Sequence, residues 1–320
     1  MPRRLRIIVN GKHAEDRRLE TVIDRARSWG LGIEKVVPSE AGFEATIREA
    51  ALDGVRGRFD TLVAAGGDGT FNHVVACVLD AIDEEPAIVE GHPPFTLGLV
   101  PLGTANDFAT AAGIAAPLDA MRLIANAPPQ EIDVGTMNGR AFVNMLSGGF
   151  GARVTAEADP RLKALLGGAA YVVAGVRRMG EVADQSAAFE GEGPDGPFAW
   201  EGRFSILAVG NGPTAGGGLA ICEGAKVDDG LLDLTIIPAM PTEDALGHLS
   251  DLLGQGIDGL GEDVVRARLS RLSVRAGQPM HVNLDGEPLQ TDTLDIAIRP
   301  RAMRLRLPAR SPVLTRPRPI

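Results

Sequence analysis

The run Leu62–Val75, LVAAGGDGTFNHVV, places three glycines around a single carboxylate directly after an apolar stretch. One or two glycines suffice for a turn. Three let main-chain N–H groups approach an anion with no Cβ in the way. A helix beginning after Thr70 would aim the positive end of its dipole at the same point, and that combination suits a phosphate. Asp68 would repel a phosphate unless a divalent cation lay between them, so the run predicts Mg2+ together with a nucleotide. The plainer alternative is a tight strand-to-helix turn capped by Asp68 and Thr70. Lys12, in VNGK after the first apolar run, is the nearby lysine able to reach a phosphate; its alternative is a solvated loop lysine.

Three further segments carry chemistry. PLGTANDFA (Pro101–Ala109) also follows an apolar run and opens a helical one, and its Thr104, Asn106 and Asp107 suit a sugar or phosphate, or a helix cap. VNLDGEPL (Val282–Leu289) reads as two strand-like runs joined by an Asp285-Gly286 turn, which leaves Glu287 as an acid at a hairpin. GAKVDDGLLDL (Gly224–Leu234) reads as a strand entered through an Asp-Gly turn. The P-loop pattern GxxxxGK(S/T) is absent, and the glycine spacing does not fit the dinucleotide GxGxxG fingerprint.

Elements that can hold such segments follow from periodicity. LRIIVNG, GIEKVVP, FDTLVAAGG and FTLGLVPLGT read as strands. HAEDRRLETVIDRARSWG (stopped by Gly30), GFEATIREAALDG (closed by Gly54) and FNHVVACVLDAI read as helices. Strands alternating with helices imply right-handed crossovers and a doubly wound parallel α/β domain, whose ligands sit at the carboxyl ends of the strands. From about Ile132 short strand-like runs separated by Gly, Pro and Asp predict a second, antiparallel β-sandwich domain. Two helical candidates interrupt it, Arg161 to Val182 and Thr242 to Leu253, and EGEGPDGPF (Glu190–Phe198) reads as a loop. The expected division is 1–134, completed by 297–320, for the nucleotide-binding domain and 135–296 for the sandwich.

Bulk properties set limits. With 320 residues and 44% hydrophobic content, two cores are expected. A net charge of -10 argues against a general nucleic-acid binder. Acids end at Asp295, however, and an arginine-rich tail follows in which RLRLP (Arg304–Pro308) reads as an amphipathic edge strand. Cys77 and Cys222 lack metal-ligand spacing, as do the five histidines, and the two cysteines suit a reducing, cytoplasmic setting. The apolar run near the start is too short for a signal peptide. The longest uncharged stretch, Ala164 to Val176, falls short of the roughly 20 residues that span a bilayer, so no transmembrane segment is expected.

GGDGT followed by PLGTANDFA resembles the diacylglycerol kinase catalytic domain family of lipid kinases. VNGK, GNGPTAGGG (Gly210–Gly218), VDDGLLDL, VNLDGEPL and RLRLP extend the likeness along nearly the whole chain to the YegS-like bacterial branch. The resemblance implies an ATP-dependent kinase of lipid hydroxyls, cytoplasmic and peripheral at the inner membrane face, with phosphatidylglycerol as the favoured acceptor. It implies a nucleotide site formed by Asn10, Lys12, Ala65, Gly66, Gly67, Asp68, Gly69, Thr70, Phe71 and Thr104, with Glu287 as the catalytic base. It also implies an Mg2+ site built from the main-chain oxygens of Lys226 and Leu231 and the carboxylate of Asp229, with an indirect metal role for Asp68. This chain departs from the family pattern at Pro38, Ala65 and His73. On the same reading, Ala164–Val176, flanked by Lys163, Arg177 and Arg178, is either a buried helix or the lining of a lipid entrance, and the arginine-rich tail a weak attractor of anionic headgroups. Two other readings stay open: a NAD kinase-like phosphotransferase with a soluble acceptor, and a lipid-binding protein without turnover.

Overall fold

A computed structural model describes residues 3–85, 95–149, 185–239 and 264–315. The helical candidates at 161–182 and 242–253, the Ala164–Val176 stretch, and Arg316 and Arg318 fall outside the described residues. The chain divides into two compact units, Met1–Val134 with Pro300–Ile320, and Gly135–Arg299.

The first unit runs β1 (Arg4–Val9), α1 (Arg17–Ser28), β2 (Gly32–Val36), α2 (Phe43–Val55), β3 (Thr61–Gly66), α3 (Asp68–Glu84), β4 (Thr96–Pro101), α4 (Asp107–Ala111) and α5 (Pro117–Asn126). Its strands lie in the order β4-β3-β1-β2, all parallel. β3 and β4 are buried along their whole length, as expected for a sheet covered on both faces. Leu19, Val22, Ile23 and Ala26 form the buried stripe of α1, and Asp16 caps its first turn. Gly30 ends that helix in the left-handed region at φ +83°. Gly54 does not close α2 as the sequence suggested. It lies inside the helix, where a Cβ would stand 2.9 Å from the Phe59 ring, and Gly57 at φ +72° takes the left-handed position instead.

β5 (Pro129–Met137) leads into the second unit. There follow β6 (Arg140–Phe142), β7 (Met145–Gly149), β8 (Ser186–Gly193), β9 (Gly196–Gly210), β10 (Thr214–Ala215), β11 (Leu219–Ala220), β12 (Leu232–Pro238), β13 (Val265–Leu269), β14 (Arg271–Leu284) and β15 (Glu287–Arg306). Antiparallel pairing gives the order β13-β12-β9-β7-β14-β15, with β8 bridging β9 and β14. Alternate residues of these strands, among them Leu146, Phe189, Phe204, Leu207, Leu234 and Val282, fill one core. The segment Glu190–Phe198 is the β8–β9 hairpin rather than a loop. Its Pro and Gly residues sit at and beside a two-residue turn, while the flanking residues keep the ladder.

β15 ends beside β4, pairing Leu305 with Leu97 in parallel. RLRLP is therefore not an edge that offers its arginines to lipid. Leu305 and Leu307 are buried, and the Arg306 guanidinium is buried too, donating to Thr96 Oγ1 at 3.2 Å and to the Ala127 carbonyl. Burial lowers the pKa of Arg306 to about 10.

Candidate functional site: a nucleotide bend and a hairpin carboxylate

In the first unit the glycine run is itself the start of α3, three residues earlier than periodicity suggested. Apolar periodicity sees only the buried positions from Phe71 onward, whereas the helical backbone begins at Asp68. No side chain caps this 17-residue helix, so its first-turn N–H groups are directed outward without an intrahelical acceptor.

The three glycines answer to different demands. A Cβ on Gly66 would stand 2.5 Å from Thr70 Oγ1, and that hydroxyl turns back to accept from Asn10 Nδ2 at 3.1 Å. Gly67 meets Gly103 of the second bend backbone to backbone: a Cβ on Gly103 would stand 2.6 Å from the Gly67 Cα. Leu102 N–H donates to the Gly66 carbonyl at 2.9 Å and completes the pinch. Gly69 is different. Its φ lies outside the left-handed region, and a Cβ there would meet nothing within 4 Å. Neither backbone conformation nor packing among the described residues requires glycine at 69, which leaves the cradle open at that point.

Asp68 joins the two bends. Its Oδ2 accepts the Asp107 N–H and its Oδ1 the Phe108 N–H, each at 3.0 Å. The cap expected from Thr104 or Asn106 for the helix at Asp107 thus comes from Asp68 of the neighbouring segment. The reason is local: Asn106 adopts φ +51° and spends its Nδ2 on the Gly103 carbonyl. Burial pushes the Asp68 pKa up, opposed by the two amide bonds. Any indirect metal role for Asp68 would operate around those bonds.

The remaining nucleotide candidates spread along the same edge. Asn10 links β1 to β3 through its N–H to the Ala65 carbonyl at 3.1 Å, and its Oδ1 accepts the Lys12 N–H. Lys12 and Thr104 stand exposed. Ala65, Thr70 and Phe71 are buried, Phe71 with its ring 5.1 Å from that of Phe108, so only their main chains can meet a ligand. His73 sets Nδ1 2.9 Å from the Gly69 carbonyl and its ring edge-on to Phe43. Pro38 is buried.

In the second unit Asp285 and Gly286 both have positive φ, +49° and +98°, as a two-residue hairpin turn requires. The Asp285 carboxylate is buried and collects the N–H groups of Val143 (2.6 Å), Asn144 (3.1 Å) and Met145 (2.7 Å). Val143 and Asn144 lie in the break between β6 and β7, and Met145 is the first residue of β7. Glu287 follows the turn, its side chain 32% exposed and its Oε2 3.3 Å from Arg140 Nη2. Asn283 Oδ1 accepts the Gly286 N–H at 2.7 Å, while its Nδ2 is buried with no acceptor. The Asp285 network leaves no mark in the residues alone, because an Asp-Gly turn looks the same whether its carboxylate faces water or amides.

The metal candidates occupy the loop entering β12. Asp229 Oδ1 accepts the Leu231 N–H at 3.0 Å, and its Oδ2 is paired with the Arg268 guanidinium. Asp233, which sequence reading passed over, has a buried Oδ2 with no hydrogen-bond partner among the described residues. Burial, reinforced by Asp229, pushes its carboxyl up to about 6. A signal was present: Asp233 alternates with the core residues Leu232 and Leu234, which sets a carboxylate on the opposite face of a buried strand. Asp229 and Asp233 supply carboxylate oxygens, one of them orphaned, and donors of this kind suit a hard cation.

Comparison with known proteins places this arrangement. Residues 4–137 match the diacylglycerol kinase catalytic domain, and residues 144–307 match the YegS C-terminal NAD kinase beta sandwich-like domain. A probable lipid kinase YegS-like of Pseudomonas aeruginosa (strain UCBPP-PA14) is 41% identical over 311 residues, 97% of this chain and 96% of that one. One of Xanthomonas oryzae pv. oryzae (strain MAFF 311018) is 43% identical over 322 residues, 98% and 99% of the two chains. The fold is shared with a crystal structure of a diacylglycerol kinase from Bacillus anthracis str. Sterne, at a TM-score of 0.73, 22% identity and coverage of 95% and 96%. The chain belongs to the YegS-like lipid kinases, with a diacylglycerol kinase catalytic domain ahead of a YegS-type β-sandwich domain.

Proposed function

We propose that this protein transfers the γ-phosphate of ATP to a hydroxyl of phosphatidylglycerol at the inner face of the membrane. The observation that carries the reading is the open Gly69 at the uncapped start of α3, in a bend whose other two glycines are filled by the chain's own atoms. Amides at a helix start, unobstructed by Cβ, suit a triphosphate. Asp68 holds the two bends together, Asn10 ties the first of them to the end of β1 through Thr70, and Lys12 and Thr104 stand exposed for a polar ligand.

Glu287 takes the proton from the attacking lipid hydroxyl, the one proton transfer this reaction needs. Arg140 keeps the carboxylate in place, and Asp285 fixes the turn that presents it. Asp229, Asp233 and the carbonyls of Lys226 and Leu231 would hold Mg2+, which when bound supplies a fixed positive charge to a largely oxygen-lined loop. The acceptor lies at a membrane surface, and no helix among the described residues is long and apolar enough to cross one.

The test is transfer of label from γ-³²P-ATP to vesicles containing phosphatidylglycerol, diacylglycerol or a sphingoid base, with NAD as a soluble acceptor in parallel. Label in phosphatidylglycerol above all others is expected. Label in NAD would establish the soluble-acceptor reading, and vesicle binding with no ATP consumption would establish a lipid-binding protein without turnover.

A further inference from the structure

Arg268 and Asp233 lie directly opposite each other in the β12–β13 ladder. Opposed cross-strand residues share a face with their Cβ atoms about 5 Å apart, so an ion pair between them is the expected arrangement. The structure does otherwise. The Arg268 guanidinium reaches past its cross-strand partner to Asp229, whose side chain is only 9% exposed. Asp233 Oδ2 stays buried with no hydrogen-bond donor among the described residues. The other oxygen of Asp233 is close to the loop backbone, since a Cβ on Gly224 would stand 3.1 Å from Oδ1. A buried carboxylate oxygen without a partner is costly, and chains keep such an atom where a partner comes from outside.

We propose that Asp233 is a direct ligand of a hard divalent cation in the 226–233 loop, and that Arg268 is the internal counter-cation the metal displaces from Asp229. The proposal rests on the reading of this loop as a cation site and extends it in two respects. It adds a second carboxylate to a site otherwise resting on Asp229 and two carbonyls. It also explains why Arg268 bypasses the carboxylate beside it: in the metal-free protein the guanidinium neutralises Asp229, and a metal held by the two acids would leave Arg268 to turn outward. Both carboxylates feel the charge of Arg268, and Asp233 feels that of Asp229, so all three groups are electrostatically coupled.

The experiment uses metal-depleted full-length protein without nucleotide, titrated with Mn2+ and followed by electron paramagnetic resonance, alongside Asp229→Asn, Asp233→Asn and Arg268→Gln. Each variant is first checked for an unchanged cooperative thermal transition. Wild type is expected to bind one Mn2+, which Mg2+ competes away. Asp233→Asn should weaken binding at least tenfold, and Arg268→Gln should tighten it several-fold because the competitor is gone. Wild-type affinity in Asp233→Asn would overturn the new ligand while leaving the loop as a cation site, and weaker binding in Arg268→Gln would overturn the displacement. Absence of Mn2+ binding by wild type at millimolar concentration would remove the loop reading and the proposal together. If Asp233→Asn alters the thermal transition, Arg268→Gln decides the proposal by the sign of its effect.

Discussion

Asp68 in the first unit and Asp285 in the second occupy the middle of the two most conspicuous acidic motifs, GGDGT and LDGE, and both are spent on the chain's own amides. Asp68 takes the N–H groups of Asp107 and Phe108; Asp285 takes those of Val143, Asn144 and Met145. In each motif the residue left open is a neighbour: Gly69, with nothing near a prospective Cβ, and Glu287, a third exposed and touched by Arg140. The difference lies in what each aspartate fixes. Asp68 ties one helix start to a second, so it shapes a cradle of amides. Asp285 ties a hairpin turn to a strand break, so it aims a single carboxylate. On the proposed reading, the acid in each motif is architecture and its neighbour is what meets the substrates.

The comparison breaks first at Glu287. Glu287→Gln is expected to lower kcat by about 10²–10⁴-fold, the usual contribution of a general base, while ATP affinity and thermal stability stay as in wild type. Full turnover in that variant would show that the hairpin acid is no reagent at all. The two architectural aspartates come next. Asp285→Asn should destabilise the protein in urea by about 1.5–3 kcal/mol, the range for hydrogen bonds to a charged group. Asp68→Asn should cost less, because it serves two amides rather than three and burial already disfavours its charge. Equal losses, or none, would mean the two networks do not carry the weight assigned to them.

The smallest effect sharpens the comparison by locating it. Each unit holds one cysteine, Cys77 and Cys222, and burial pushes their thiols up to about 11 and about 12. At pH 8 both are protonated in the folded protein and react slowly with iodoacetamide. Asp68→Asn should speed labelling of Cys77 and leave Cys222 unchanged; Asp285→Asn should do the reverse. Mass spectrometry of the labelled peptides reads the outcome, and acceleration of both thiols by either variant would mean that the networks are not local to their units.

Much of this was legible in the residues. The strand–helix alternation of the first unit follows from apolar periodicity, and the Asp285-Gly286 hairpin from turn chemistry, because both are local. Non-local partners were not legible. Gly54 signals a helix end by type, but the ring of nearby Phe59 and that of Phe95, distant in sequence, make it a packing glycine. RLRLP shows alternation but not the β4 strand beside which it ends, so Arg306 read as surface and proved buried. Capping by Asp68 of a helix 39 residues away depends on the folded chain and leaves no local trace, and alternation places Asp233 on the opposite face of its strand without showing that one of its oxygens is orphaned.

The central claim is that Gly69 is glycine for the sake of a nucleotide and not of the fold. Gly69→Ala should test it most directly, with ATP affinity measured by isothermal titration beside unfolding of the same preparation. The account predicts at least a tenfold loss of ATP affinity with stability unchanged or raised by up to about 1 kcal/mol, since alanine favours a helical backbone. Undiminished ATP affinity in a stably folded Gly69→Ala protein would contradict it.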